Sequence, residues 1–322
     1  MAKKYLIIQT AFIGDVILAT PIVESLKKEQ SDILIDVLVK KENSSVLSGN
    51  RSINEVFTLD KSKKLKSIFS LIRVFRKKRY DFIINLHRFA SSGLICSLSK
   101  GKETRGFDKN PFSIFYSKKF RHVIENGMHE VDRNISLIED LISEPIRRPH
   151  IDVSDDVRER IEIYQSKKYY CLAPASVWKT KEEPLTIWKK LINQINARED
   201  CQIFLLGGPD DYEKSELLLK GVEHENIINL CGKLSLIESG ALMQHAERNY
   251  VNDSAPLHLA SAVNAPVSAF YCSTSPSFGF GPLSDDSKII EVKELECKPC
   301  GLHGHKACPR GHFKCGNDLK LS

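Results

Sequence analysis

The chain has 322 residues, of which 42% are hydrophobic and 27% charged, with a formal net charge of +6. That length accommodates two domains of ordinary size, and the composition excludes a disordered or fibrous protein. No apolar run approaches the roughly 20 residues that a membrane-spanning helix needs. Gln9 and Asp15 interrupt the apolar stretch at the start, so it reads as a buried strand and a loop rather than a signal peptide, which predicts a cytoplasmic protein.

In chain order, residues 5–8 form a short apolar run that predicts a buried strand, followed by a helix over 22–28 and a second strand over 33–39. Residues 61–79 carry nine Lys/Arg and no acid. Leu65, Ile68, Phe69, Ile72 and Phe75 share one face of a helix there. Such a helix docks on an anionic membrane or packs on the core with a solvated basic face. A third strand is expected over 82–86. The second half repeats the theme, with strands over 169–173, 202–206, 226–229, 249–252 and 267–271. Helices are expected over 185–197, 212–221, 237–246 and 255–262. Strands alternating with helices predict parallel βαβ units. We therefore expect an α/β protein with domains at 1–155 and 156–295 and a Cys-rich tail at 296–322.

The charge is unevenly divided. Residues 1–150 hold 27 Lys/Arg and 17 Asp/Glu, net +10; residues 151–322 hold 20 and 24, net −4. The basic half suits an anionic partner: nucleic acid, a phospholipid surface or a phosphorylated glycolipid.

Three stretches carry candidate chemistry. In Gln9-Thr10-Ala11-Phe12-Ile13-Gly14-Asp15, Gly14 permits a tight turn after the first strand. Asp15 then stands at a strand's carboxyl end, as a general base facing a cleft or as a simple helix cap. Pro21 marks a kink or a second helix start. The stretch from Pro174 to Pro184 follows a strand and precedes a helix, and its Ser176, Lys179 and Lys181 make a diphosphate cradle or a plain polar loop. In Asn252-Asp253-Ser254-Ala255-Pro256-Leu257-His258 a strand ends and a helix begins. Asp253 and Ser254 stand where the first helical N–H groups are unpaired, a setting that attracts phosphate. His258 lies on the first turn, where a packing role is its ordinary use. The loop from Cys272 to Pro276 would border the same crevice.

Cys297, Cys300, Cys308 and Cys315 give C-x2-C-x7-C-x6-C, interleaved with His303, His305 and His312. The spacing predicts a structural zinc or iron–sulfur site, with free thiols or disulfides as the alternatives. The tail lacks the repeated, aromatic-rich pattern of nucleic-acid fingers, so no nucleic acid is expected. Cys96, Cys171, Cys201, Cys231 and Cys272 read as buried reduced thiols.

Together the stretches Ile13-Gly14-Asp15-Val16-Ile17-Leu18-Ala19-Thr20-Pro21, Pro174 to Pro184 and Asn252 to Pro276 resemble, in order and spacing, the ADP-heptose:lipopolysaccharide heptosyltransferases of glycosyltransferase family 9. His129-Glu130-Val131-Asp132-Arg133-Asn134 resembles the family as well. The resemblance implies a GT-B fold, two Rossmann-like domains with parallel sheets facing a central cleft. It implies inverting transfer of heptose from ADP-heptose to the Kdo/heptose inner core on lipid A, at the cytoplasmic face of the inner membrane, with no cofactor required for catalysis. Asp15 matches the catalytic base; Ser176 and Lys181 match phosphate-binding positions; Asp253, Ser254, Ala255 and His258 match the donor-binding turn. Arg88, beside Asn85 and His87, is the candidate acceptor contact from its place at a strand end. Ala255 stands where the family has glycine, Glu182-Glu183 where it has a basic–aromatic pair, and Tyr271-Cys272 where it has Phe-Gly. A transferase using another nucleotide sugar, or a non-enzymatic binder of anionic lipid or nucleic acid, is the alternative.

Overall fold

The computed structural model describes residues 2–124, 127–198, 200–222 and 225–321. The chain divides into two units, Met1–Asp152 and Val153–Ser322. In the first, β1 (Lys4–Ile8), β2 (Leu34–Lys40), β3 (Glu55–Leu59), β4 (Phe82–Asn85), β5 (Glu103–Phe107) and β6 (Lys118–Phe120) form one sheet in the order β3-β2-β1-β4-β5-β6. Every neighbouring pair is parallel. Its helices are α1 (Ile13–Ile17), α2 (Thr20–Glu29), α3 (Lys64–Lys78), α4 (Ala90–Leu98) and α5 (Glu130–Ile135).

The second unit repeats the plan. Its sheet runs β12-β11-β10-β7-β8-β9, again all parallel, from β7 (Tyr169–Ala173), β8 (Gln202–Leu205), β9 (Ile227–Asn229), β10 (Arg248–Asn252), β11 (Val267–Tyr271) and β12 (Ser287–Glu291). The helices are α6 (Asp155–Ile161), α7 (Leu185–Arg198), α8 (Tyr212–Leu219), α9 (Leu236–Gln244), α10 (Ala255–Ala262) and α11 (Lys314–Asn317). Among the described residues no helix is long and apolar enough to cross a membrane.

The central strands read as continuous apolar runs because helices cover both faces of a parallel sheet. Leu6, Ile7 and Ile8 of β1 are wholly buried, as are Ile203, Phe204 and Leu205 of β8. α3 lays Ile68, Leu71, Ile72 and Phe75 on Leu6, Ile8, Leu38, Leu59 and Ile83. Leu65 and Phe69, expected on that same face, instead point outward, 69% and 60% exposed. α7 buries Ile187, Trp188, Leu191, Ile192 and Ile195 against Leu172, Ile203, Leu205 and Phe270.

Strands β3, β5, β6 and β12 were not expected, because their polar residues break the apolar signal. The largest break is Arg105 of β5, buried to 1% exposure. It survives there because Glu103 and Asp140 pair with it and Leu137 O accepts from it at 2.9 Å. A buried cation is tolerated when paired and hydrogen-bonded.

In each sheet the order reverses direction once, between β1 and β4 and between β7 and β10. Loops leaving two such strands diverge to opposite sides and open a crevice at their carboxyl ends. The loops after β1 and β4 carry Asp15 and Arg88; those after β7 and β10 carry Lys181 and Asp253.

Candidate active site

In the first unit α1 starts immediately beyond β1. Gly14 lies within this helix and has no left-handed backbone, so the tight turn expected there is not formed. Asp15 is in the first helical turn, and its Oδ2 accepts the Phe12 N–H at 3.0 Å. The helix ends at Leu18, and α2 begins at Thr20 with Pro21 in its first turn, where the missing N–H costs nothing. Burial pushes the Asp15 carboxyl upward, opposed by the Phe12 N–H and the charges of Arg88 and Lys40.

The neighbours are mostly cations. Lys40, the last residue of β2, is 7% exposed and lies over the Phe12 ring at 4.9 Å. Burial and then the adjacent Lys61 lower its pKa to about 8. His87 Nδ1 is 2.8 Å from Thr10 Oγ1. Burial, followed by Lys40, Arg88 and Lys61, lowers the His87 pKa to about 4, so its ring is neutral at pH 7. Glu130 and Arg133 of α5 form a buried pair at 2.7 Å, and Asn134 Nδ2 donates to Leu18 O at 3.3 Å, tying α5 to the break between α1 and α2. Burial raises Glu130, against the pull of Arg133, and the Asp15 charge acts in the same upward direction. The arrangement is two carboxyls of heightened proton affinity, Asp15 and Glu130, within a basic surround.

In the second unit the loop after β7 is organised by Glu182, which the sequence reading did not assign a role. Its carboxylate accepts the Ser176 N–H at 3.0 Å and pairs with Lys179 at 3.1 Å and with Lys214 of α8. Lys181 Nζ is 2.7 Å from Asp253 Oδ2, with both side chains largely buried, and Thr274 Oγ1 donates to the same oxygen at 2.6 Å. Asp253 therefore does not cap α10. Ser254 is the N-cap residue but makes no side-chain cap; its hydroxyl donates to Asn252 O at 3.4 Å. Ala255 is the first residue of α10 with no positive φ, so the backbone accepts a Cβ where the family has glycine. His258 is 6% exposed and packs edge-on against Phe280 at 6.4 Å.

A model of glycosyltransferase family 9 (heptosyltransferase) matches residues 68–309. The chain belongs to this family. It is a glycosyltransferase. It is 29% identical over 285 residues to lipopolysaccharide heptosyltransferase 3 of Escherichia coli K12, covering 82% of this chain and 81% of that protein. Among solved structures it superposes on ADP-heptose LPS heptosyltransferase II of E. coli with a TM-score of 0.79, at 21% identity and 98% coverage of both chains. Heptosyltransferase WaaC of E. coli, solved with ADP, gives 0.72 at 21% identity, covering 89% of this chain and 92% of that one. The GT-B fold expected for the family is the one observed, two units with six parallel strands each.

Within the family member's first unit the structure gathers Asp15 and Arg88, and adds Lys40, Lys61, His87 and Glu130, which sequence reasoning had not singled out. The signal for Lys40 and His87 was their place directly at strand ends. In the second unit Ser176, Lys181, Asp253, Ser254, Ala255 and His258 all lie on the loops after β7 and β10 or the first turn of α10.

All nine cysteines are free thiols, and among the described residues no group of three or more His, Cys, Asp or Glu side chains is placed to hold a metal ion. Cys297, Cys300, Cys308 and Cys315, the set read as a zinc or iron–sulfur site, nonetheless lie near enough for their charges to act on one another. Cys300 Sγ turns onto Cys297 O at 3.0 Å, Cys297 Sγ faces His312 Nε2 at 3.9 Å, and Cys315 is buried with its pKa pushed up to about 11 by burial and the neighbouring thiols. What the tail does is brace the loop after β7. Thr180 N donates to His305 O at 3.0 Å, and His305 N donates to Thr180 Oγ1 at 2.8 Å. Cys300 N donates to Ser273 O at 2.9 Å. A Cβ on Gly304 would stand 2.5 Å from Trp178 Cβ and 3.0 Å from Lys181 Cγ, so only glycine fits beneath the lysine.

Proposed function

We propose that the protein transfers heptose from ADP-heptose to the Kdo/heptose inner core of lipopolysaccharide with inversion at the anomeric carbon. The observation that carries the reading is the pairing of chemistry with topology: a proton-hungry carboxylate at one switch point, and a lysine beside an uncapped helix start at the other. The relatives' names, lipopolysaccharide heptosyltransferase 3 and ADP-heptose LPS heptosyltransferase II, supply the sugar and the acceptor class.

In this reading the first unit holds the acceptor and the second the nucleotide sugar. The acceptor oxygen attacks the anomeric carbon from the face opposite ADP. Its proton passes to Asp15, and the electron pair of the breaking C–O bond leaves on the β-phosphate of ADP. A carboxyl raised by burial is a stronger base than a solvated one. Lys181 and the free N–H groups at the start of α10 meet the charge that develops on the leaving diphosphate. Asp253 holds Lys181 in place until the phosphates arrive. Arg88, with Lys40 and Lys61, binds the phosphates and carboxylates of the acceptor. These residues carry the reaction as drawn, with no cofactor in any step.

The test is ADP release from ADP-heptose with a Kdo-containing acceptor. Asp15→Asn should lower kcat by roughly 10³-fold, the scale of a lost general base, with ADP binding by calorimetry unchanged. Wild-type kcat in that variant removes Asp15 as the base. Release only from another nucleotide sugar in a donor screen replaces ADP-heptose as substrate.

A further inference from the structure

α3 is amphipathic, but its outward face is not an ordinary solvated one. The core face is complete with Ile68, Leu71, Ile72 and Phe75. Leu65 and Phe69, one turn apart, carry the apolar surface around one flank of the helix and into the open. Lys63, Lys64, Lys66, Arg73, Arg76 and Lys77 surround that pair, all exposed. Among the described residues the helix's ion pairs are confined to Lys78 at its end, which binds Asp36 and Glu55. From Lys61 to Arg79 there is no acid at all. A solvated helix gains nothing from an exposed Leu–Phe pair, and a nucleic-acid-binding face has no use for an aliphatic one. A helix with basic residues flanking exposed Leu and Phe has the composition of an interfacial membrane helix.

Its position adds to the argument. α3 follows β3, so its first turn lies at the carboxyl edge of the sheet, the edge that carries Asp15. Lys61, just before the helix, is close enough to depress both Lys40 and His87. Phe12 and Phe89, 55% and 68% exposed, stand in the loops after β1 and β4 on the same edge.

We propose that the first two turns of α3 are a docking surface for an anionic phospholipid bilayer, with Leu65 and Phe69 entering the headgroup–acyl boundary and the flanking lysines and Arg73 on the lipid phosphates. Docking there turns the Asp15 edge toward the membrane, from which a lipid-anchored acceptor projects; that orientation rests on the proposed function, whereas the binding does not.

The experiment is sedimentation of the full chain with phosphatidylcholine vesicles, with and without phosphatidylglycerol, in the absence of any sugar nucleotide. Binding is expected only with phosphatidylglycerol and should weaken on raising salt. Leu65→Ser with Phe69→Ser should weaken it by at least about tenfold, and Lys64→Glu with Lys66→Glu by about as much or more. Both double variants should keep wild-type turnover on a lipid-free acceptor. No binding to phosphatidylglycerol vesicles at low salt overturns the proposal, as does undiminished binding by the apolar double variant. Loss of turnover on the lipid-free acceptor would instead place α3 in the acceptor site and overturn the docking role. An RNA homopolymer bound equally well by wild type and the apolar variant, at the expense of vesicles, would make the face a polyanion binder and overturn it too. Vesicle binding without any sugar transfer would leave docking standing while removing the proposed reaction.

Discussion

At the first switch point Arg88 and Lys40 act on Asp15 and Lys61 acts on Lys40, and among the described residues no ion pair joins any of them to Asp15. At the second, Lys181 is locked to Asp253 at 2.7 Å and Glu182 holds two further lysines. The sheets share a strand order, so backbone topology is not what separates these edges. The difference lies in whether charges are matched within the protein. A matched edge is stable without ligand and exchanges one partner for another when phosphate binds. An unmatched one stores repulsion that only an incoming anion relieves.

The sharpest way to break this comparison is to unmatch the second edge. Asp253→Ala leaves Lys181 largely buried beside Thr274 alone, and losing one member of a buried pair typically costs about 3–5 kcal/mol. Denaturant unfolding should show a loss of that order in the second unit. Saturating ADP should return part of it, since a phosphate can replace the missing carboxylate. Asp253→Ala combined with Lys181→Met should recover stability without ADP and respond less to ADP. Equal ADP responses in the single and double variants would refute the idea that Asp253 is a stand-in for phosphate.

The two edges also differed in how far the sequence revealed them. Strands β1, β7 and β8 were legible because burial on both faces demands apolar runs. The same demand hid β5, whose Arg105 is buried only by virtue of partners 2 and 35 residues away, Glu103 and Asp140. Asp15, Lys181 and Asp253 were legible because they sit in local motifs at strand ends. Their surroundings were not: Lys40, His87 and Glu130 meet through parallel pairing and a distant helix, and no local pattern records that. The cysteines are a separate case. Their spacing is that of a metal site, and the fold does bring the four tail thiols near one another, but spacing gave no hint that the tail's backbone braces Thr180 and Ser273.

A smaller effect should separate matched from unmatched charge within the second unit itself. Glu183, next to Glu182, is 3% exposed, and among the described residues the Cys272 thiol is the group set against its carboxyl. Burial, only partly offset by Cys272 and Lys298, raises its pKa from 4.5 to about 8. The folded state therefore holds a proton that the unfolded state releases between those values, and stability falls as pH rises from about 4.5 to 8. Glu183→Gln keeps the shape and removes the titration. We expect it to stabilise the protein by about 2 kcal/mol at pH 9 and to change little at pH 4. Thermal unfolding across this range checks it; parallel pH profiles for the variant and wild type would show that Glu183 carries no such load.

The smallest effect, and the one that tests the first edge directly, comes from Lys40. Its pKa is lowered to about 8 by burial and by Lys61, so near pH 7 the folded state carries an ammonium that the unfolded state holds more comfortably. Between about pH 8 and 10.5 the unfolded chain binds the extra proton, and stability should rise with pH there. Lys40→Met removes the repulsion and gives up the contact with the Phe12 ring. The net should be a gain of about 1 kcal/mol at pH 7, with the rise above pH 8 flattened. The same substitution withdraws one of the charges that hold Asp15 down, so the acid limb of kcat against pH should move upward. Removing a cation would then stabilise the first edge, whereas removing Asp253's charge destabilises the second. Should Lys40→Met instead destabilise, Lys40 is matched by a partner already, and the first edge is no more primed for an anion than the second.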